Sequence, residues 1–150
     1  MKSALNTITP SVIYSCDREL DLRVFKNAWF ARFAQKEQLP NQQLWAAIQA
    51  AERGLIDADL GSGVVKLRIA RPGGGKSKGY RTIVMYQQGS KAFFVFGFAK
   101  NELANIRDDE VAQFKKAAKH VLSMSDAHIR QLINNGQLEE VEHDDKKISH

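Results

Sequence analysis

Cysteine is almost absent from this chain: Cys16 is the single thiol among 150 residues. One thiol excludes an intramolecular disulfide framework and an all-cysteine metal site. Long apolar runs are missing as well. The first twenty residues, MKSALNTITPSVIYSCDREL, hold no uninterrupted apolar core of signal-peptide length. No later run is long enough to span a bilayer. A soluble cytoplasmic protein with no membrane partner is therefore the expectation. The third absence is local. Between Gly61 and Asn101 there is no Asp or Glu at all.

What is present suits one folded domain. The hydrophobic fraction is 43% and the charged fraction 26%, enough for a core and too apolar for wholesale disorder. The formal net charge of +5 and pI near 9.4 call for an anionic partner. Residues 1–22 read as an extension without a strong element, residues 23–141 as the folded domain, and residues 142–150 as a polar tail.

From Arg23 the pattern sharpens. RVFK suits a short strand, and Asn27 can cap a helix running to about Gln38, with Phe30, Phe33 and Ala34 at helical spacing beside Trp29. After Leu39-Pro40, Asn41 is the expected cap of a second helix with Leu44, Ile48 and Ala51 on one face, stopped at Gly54. The period then changes. In VVKLRIA, Val65, Leu67 and Ile69 alternate with Lys66 and Arg68, the signature of a strand with one apolar and one basic face. Arg71–Gly79 reads as a loop, Tyr80–Tyr86 as a second strand, and Lys91–Phe98 as a third that is apolar on both faces and therefore central. Short connections imply antiparallel neighbours. Asp108 or Asp109 can cap a helix to about Met124, and Ser125 or Asp126 a shorter one stopped at Gly136. Leu138 and Val141 suit an edge strand. The fold class is α+β: a small antiparallel sheet flanked by an N-terminal helical hairpin and C-terminal helices.

The basic residues of the acid-free interval are Lys66, Arg68, Arg71, Lys76, Lys78, Arg81, Lys91 and Lys100. Lys66 and Arg68 leave the same strand face about 7 Å apart. An antiparallel second strand brings Arg81 beside them, with Lys76 and Lys78 on the connecting loop. A polyphosphate chain then meets several cations at roughly its own repeat. A merely solvated face would mix signs to limit cross-strand repulsion.

Other chemistries lack support. GGGKS fails the Walker A pattern, because Ala70 stands where its first glycine belongs and a strand follows where a helix is needed. His120, His128, His143 and His150 show no metal-ligand spacing. No serine sits in a nucleophile elbow. Phe93, Phe94, Phe96 and Phe98 read as core, whereas Tyr80 and Tyr86 are candidates for contact with a base or ribose. No cofactor is implied.

Three blocks, RVFKNAWFARFAQKEQL, AAERGLIDADLGSGVVKLRIARPGGGKSKGYRTIVMY and KAFFVFGFAKNELANI, resemble the RelE-like toxins of type II toxin–antitoxin systems, most closely the HigB-like subgroup of the RelE/ParE superfamily. The resemblance spans roughly residues 23–141. It implies the RelE fold, cleavage of mRNA, often on the ribosome, with inhibition of translation, and neutralisation by an antitoxin, frequently of helix-turn-helix type. Residue by residue, the family's basic strand matches Lys66 and Arg68, its glycine–aromatic–arginine step matches Arg81, and the basic position ending the next strand matches Lys100. The following position, basic in some relatives, is Asn101. No match exists for the C-terminal tyrosine or histidine used by some relatives.

The expected catalytic set is thus Lys66, Arg68, Arg81 and Lys100. The expected RNA contacts are Arg71, Lys76, Lys78, Tyr80, Tyr86 and Asn101. Guanidinium groups suit the phosphate charge, and Lys66 or Lys100 suits proton abstraction, since like-charge crowding favours a neutral amine. A non-catalytic RNA-binding module and a gyrase-poisoning toxin are the competing expectations.

Overall fold

The computed structural model describes residues 22–71, 75–99 and 107–142. The N-terminal extension, the first glycines after Pro72, the segment holding Lys100 and Asn101, and the tail from His143 lie outside the described residues. Within them, six strands form one sheet and four helices cover it.

In chain order these are β1 (Arg23–Asn27), α1 (Ala28–Glu37), α2 (Asn41–Glu52), β2 (Ala58–Gly61), β3 (Val64–Arg71), β4 (Gly75–Gln87), β5 (Lys91–Ala99), α3 (Asp108–Leu122), α4 (Asp126–Asn134) and β6 (Leu138–Glu140). The sheet order is β2-β3-β4-β5-β1-β6. All pairings are antiparallel except β1 with β5, which run parallel. The sheet is thus mostly antiparallel, as expected, with this one parallel pair added. β1 reaches β5 only after a long connection through α1, α2 and three strands, and such a connection permits the parallel sense.

Strand alternation divides the core. Val65, Leu67, Ile69, Tyr80, Val84 and Phe94 pack with α1 and α2 on one face. Val64, Ile83, Met85, Phe93 and Ala118 pack on the other, where α3 and α4 lie. The phenylalanines of β5 are core as expected, with Phe93, Phe94 and Phe98 buried.

Local chemistry explains several boundaries. The Asn27 side chain accepts a hydrogen bond from the Phe30 N–H at 2.7 Å and so caps α1. Its amide also donates to the Val95 carbonyl beside the bulge in the β4–β5 pairing. Asn41 is not a cap: Pro40 holds that position, and the Asn41 side-chain Oδ1 accepts from the buried Lys26 ammonium at 3.0 Å. Neither Asp108 nor Asp109 caps α3. Arg107 stands there, and the Glu110 carboxylate accepts from its N–H at 3.1 Å. Ser125 caps α4.

Two strand boundaries differ from expectation near the basic face. β4 begins at Gly75, so most of the expected loop is strand. Gly79 makes the close pairing possible: a Cβ there would stand 2.1 Å from the Ile69 carbonyl oxygen. The second difference is β2, which the sequence pattern left unassigned. Ser62 and Gly63, at φ of 56° and 85°, form a two-residue turn that folds residues 58–61 back along β3.

Candidate functional site

Arg68 and Arg81 lie directly opposite each other in the β3–β4 ladder, and Lys66 lies opposite Ile83. All three cations therefore leave the face covered farther along by α3. Like charges placed directly across a ladder repel. β2 brings the remedy. Asp57, the residue before this strand, donates its N–H to the Lys66 carbonyl at 3.0 Å, which fixes its main chain to β3. Its carboxylate then meets all three cations. Oδ1 accepts from Arg68 Nε at 2.9 Å, while Oδ2 stands 3.5 Å from Arg81 Nε and 3.9 Å from Lys66 Nζ.

The cluster is largely sequestered. The side chains of Arg81, Asp57 and Lys66 are 12%, 15% and 18% exposed, whereas that of Arg68 is 52% exposed. Three cations against one carboxylate leave two positive charges uncompensated among the described residues. Arg81 also has an unused donor: its Nη1 is buried and has no hydrogen-bond partner among the described residues. A buried unsatisfied donor is unfavourable, about 1–3 kcal/mol, and more for a charged group. Such a group gains from an incoming anion.

Two expected contacts must be withdrawn. Tyr80 and Tyr86 alternate to the opposite face and are buried under the helical hairpin. The Tyr80 hydroxyl donates to Glu37 of α1 at 2.8 Å, and the Tyr86 hydroxyl donates to Glu52 of α2. Burial, reinforced by the Glu52 bond, pushes the Tyr86 phenol above its ordinary range. Both are pins between sheet and helices, with no surface to offer a base. Lys91 is likewise separate. It sits at the far end of β5 and donates to the Met124 carbonyl at 3.1 Å, just beyond α3. Arg71, Lys76 and Lys78 belong to the β3–β4 hairpin, but their side chains are outside the described residues, as are Lys100 and Asn101 altogether.

Asp57 is the residue that the one-signed interval concealed. Asp57 lies four positions before Gly61, just outside the acid-free interval. The Ser62-Gly63 pair between two strand-like runs was the available signal, because a two-residue hairpin returns residues 57–61 to the basic strand.

Among the described residues, no group of three or more His, Cys, Asp or Glu side chains gathers at metal-binding distance. His120 and His128 meet edge-on, 5.9 Å between ring centres. No described helix is long and apolar enough to cross a membrane.

The family model for the RelE toxin of the RelE/RelB toxin–antitoxin system matches residues 22–141. No curated protein matches the chain. The match takes in the whole sheet, all four helices and the Asp57 cluster. The chain belongs to the RelE toxin family and is the toxin member of a toxin–antitoxin system.

Proposed function

We propose that this toxin is an endoribonuclease that cuts mRNA and thereby inhibits translation, and that Lys66, Arg68 and Arg81 hold the scissile phosphate. The observation that carries this is the convergence of three strand-borne cations on one point where, among the described residues, two positive charges are in excess and a buried guanidinium N–H is unused.

RNA carries its own nucleophile. In the proposed reaction the 2′-hydroxyl attacks the adjacent phosphorus, the P–O2′ bond forms, and the P–O5′ bond breaks. Three needs follow: a proton acceptor at O2′, stabilisation of the charge that builds on the phosphoryl oxygens, and a proton for O5′. The protein reaction needs no metal ion in this scheme. Arg81 and Arg68 meet the second need, since guanidinium groups fixed by strands are preorganised for developing negative charge. Lys66, 3.9 Å from the Asp57 carboxylate, is the proposed proton donor to O5′. Lys100, the residue after β5, is then the proposed acceptor. Arg71, Lys76 and Lys78 on the hairpin, with Asn101 beyond β5, would track the flanking backbone. The antitoxin of this reading is a helix-turn-helix protein encoded alongside.

The test uses the purified toxin, alone and with translating ribosomes, on a defined mRNA. Cleavage by the wild type and its loss in Arg81→Ala is the expected result. Intact mRNA under both conditions overturns the proposal. Retention of RNA without cleavage would indicate a binding module, and DNA damage without RNA cleavage a gyrase poison.

A further inference from the structure

We propose that Asp57 is a positioning residue of the cleavage site: its carboxylate keeps Lys66, Arg68 and Arg81 at one spacing and limits how strongly they hold RNA. This rests on the nuclease proposal above and assigns a role to a side chain outside the basic set.

The placement of Asp57 is built rather than incidental. Its N–H is fixed to the Lys66 carbonyl, the next residue pairs with Lys66 across β2–β3, and its side chain is only 15% exposed. Both carboxylate oxygens are used, one by Arg68 and the other by Arg81 and Lys66. Without this counter-ion, two arginines at one ladder position would repel and swing apart. Charge stabilisation in a reaction depends on donors that are already in place, so loosening them lowers turnover. The carboxylate has a second effect. It is an anion at the point where a phosphate oxygen must sit, so it competes with substrate for the same donors. Removing its charge should therefore tighten RNA binding while it slows cleavage. A residue that merely supports the fold would move both in the unfavourable direction.

Asp57→Asn keeps the shape and removes the charge. Dissociation of a short single-stranded RNA and turnover at saturating mRNA are measured together, with thermal denaturation as the folding control. The expected result is RNA binding about three- to tenfold tighter and turnover at least about tenfold lower. Binding that is unchanged or weaker, or turnover that is retained, overturns the proposal. Asp57→Glu keeps the charge but advances the carboxylate by one methylene. Wild-type affinity with reduced turnover is expected of it, and unchanged turnover contradicts the positioning role. This variant decides the matter should Asp57→Asn fail to fold. A wild-type protein that leaves mRNA intact with and without ribosomes sinks the nuclease proposal and the positioning role with it. Tighter binding by Asp57→Asn would then still mark Asp57 as a competitor of RNA for the same cations.

Discussion

Arg23 on β1 and Arg81 on β4 are both partly buried arginines in ion pairs, yet the company each keeps is opposite. Arg23 donates to both oxygens of Glu140 at 3.0 Å and stands 3.8 Å from Asp126. Nearby, Lys26 pairs with Glu139 at 3.5 Å. Here acids outnumber cations, and Glu139 and Glu140 belong to the strand that pairs with β1. The Glu140 hydrogen bond holds the Arg23 guanidinium further in its charged form, against the opposing effect of burial. These pairs close an edge of the sheet and leave neither Arg23 nor Lys26 without an acid. At the other edge, among the described residues, one carboxylate serves three cations and Arg81 retains an unpartnered donor. Cations that are fully matched by local acids make fold. Charge left in excess and in register is available to a ligand. Burial of the arginine does not separate the two cases, but the ratio of partners does.

Substitutions sharpen this contrast in order of expected effect. Arg81→Ala should reduce mRNA cleavage about 100-fold or more, the scale for losing one preorganised charge-stabilising group. Single-turnover assays on protein verified as folded would show it, and activity within a few-fold of wild type would count against the cation cluster. Gly79→Ala drives a methyl onto the Ile69 carbonyl oxygen. It should lower stability by about 1–3 kcal/mol in urea unfolding, and cleavage should fall with it because the Arg68–Arg81 register is disturbed. Glu140→Gln unbalances the structural network instead. A stability loss of about 1 kcal/mol or less is expected, with RNA affinity unchanged. The smallest effect concerns Tyr86, whose phenol is held protonated above its ordinary range. Its contribution is complete below about pH 10 and is lost as pH rises further, because the unfolded phenol ionises first. Unfolding curves at alkaline pH should decline less steeply for Tyr86→Phe than for wild type. Parallel curves would contradict the assignment.

Much of this architecture was legible from residue order. The alternation in VVKLRIA and the apolar KAFFVFGF run each dictate one strand, and Asn27, Gly54 and Ser125 mark helix ends through local chemistry that tertiary contacts do not override. The cation pairing was legible too, since antiparallel β3 and β4 oblige Arg68 and Arg81 to meet. Less visible was what depends on long-range return of the chain. The parallel β1–β5 contact joins residues with no local signal between them. Tyr80 and Tyr86 read as surface aromatics because strand period assigns them a face but not which face the helices cover. Asp57 was hidden for the same reason: its partners lie across a hairpin, and a count of charges along the chain stops short of it.

The salt dependence of RNA binding separates the two arginines. The affinity of a short single-stranded RNA would be measured from low to high salt for wild type, Arg81→Ala and Arg23→Ala. Each phosphate contact on a single strand contributes about −0.7 to the slope of log affinity against log salt concentration. The slope should be shallower by about that amount in Arg81→Ala and close to wild type in Arg23→Ala. Equal slopes in wild type and Arg81→Ala, or an equal change in both variants, would contradict it.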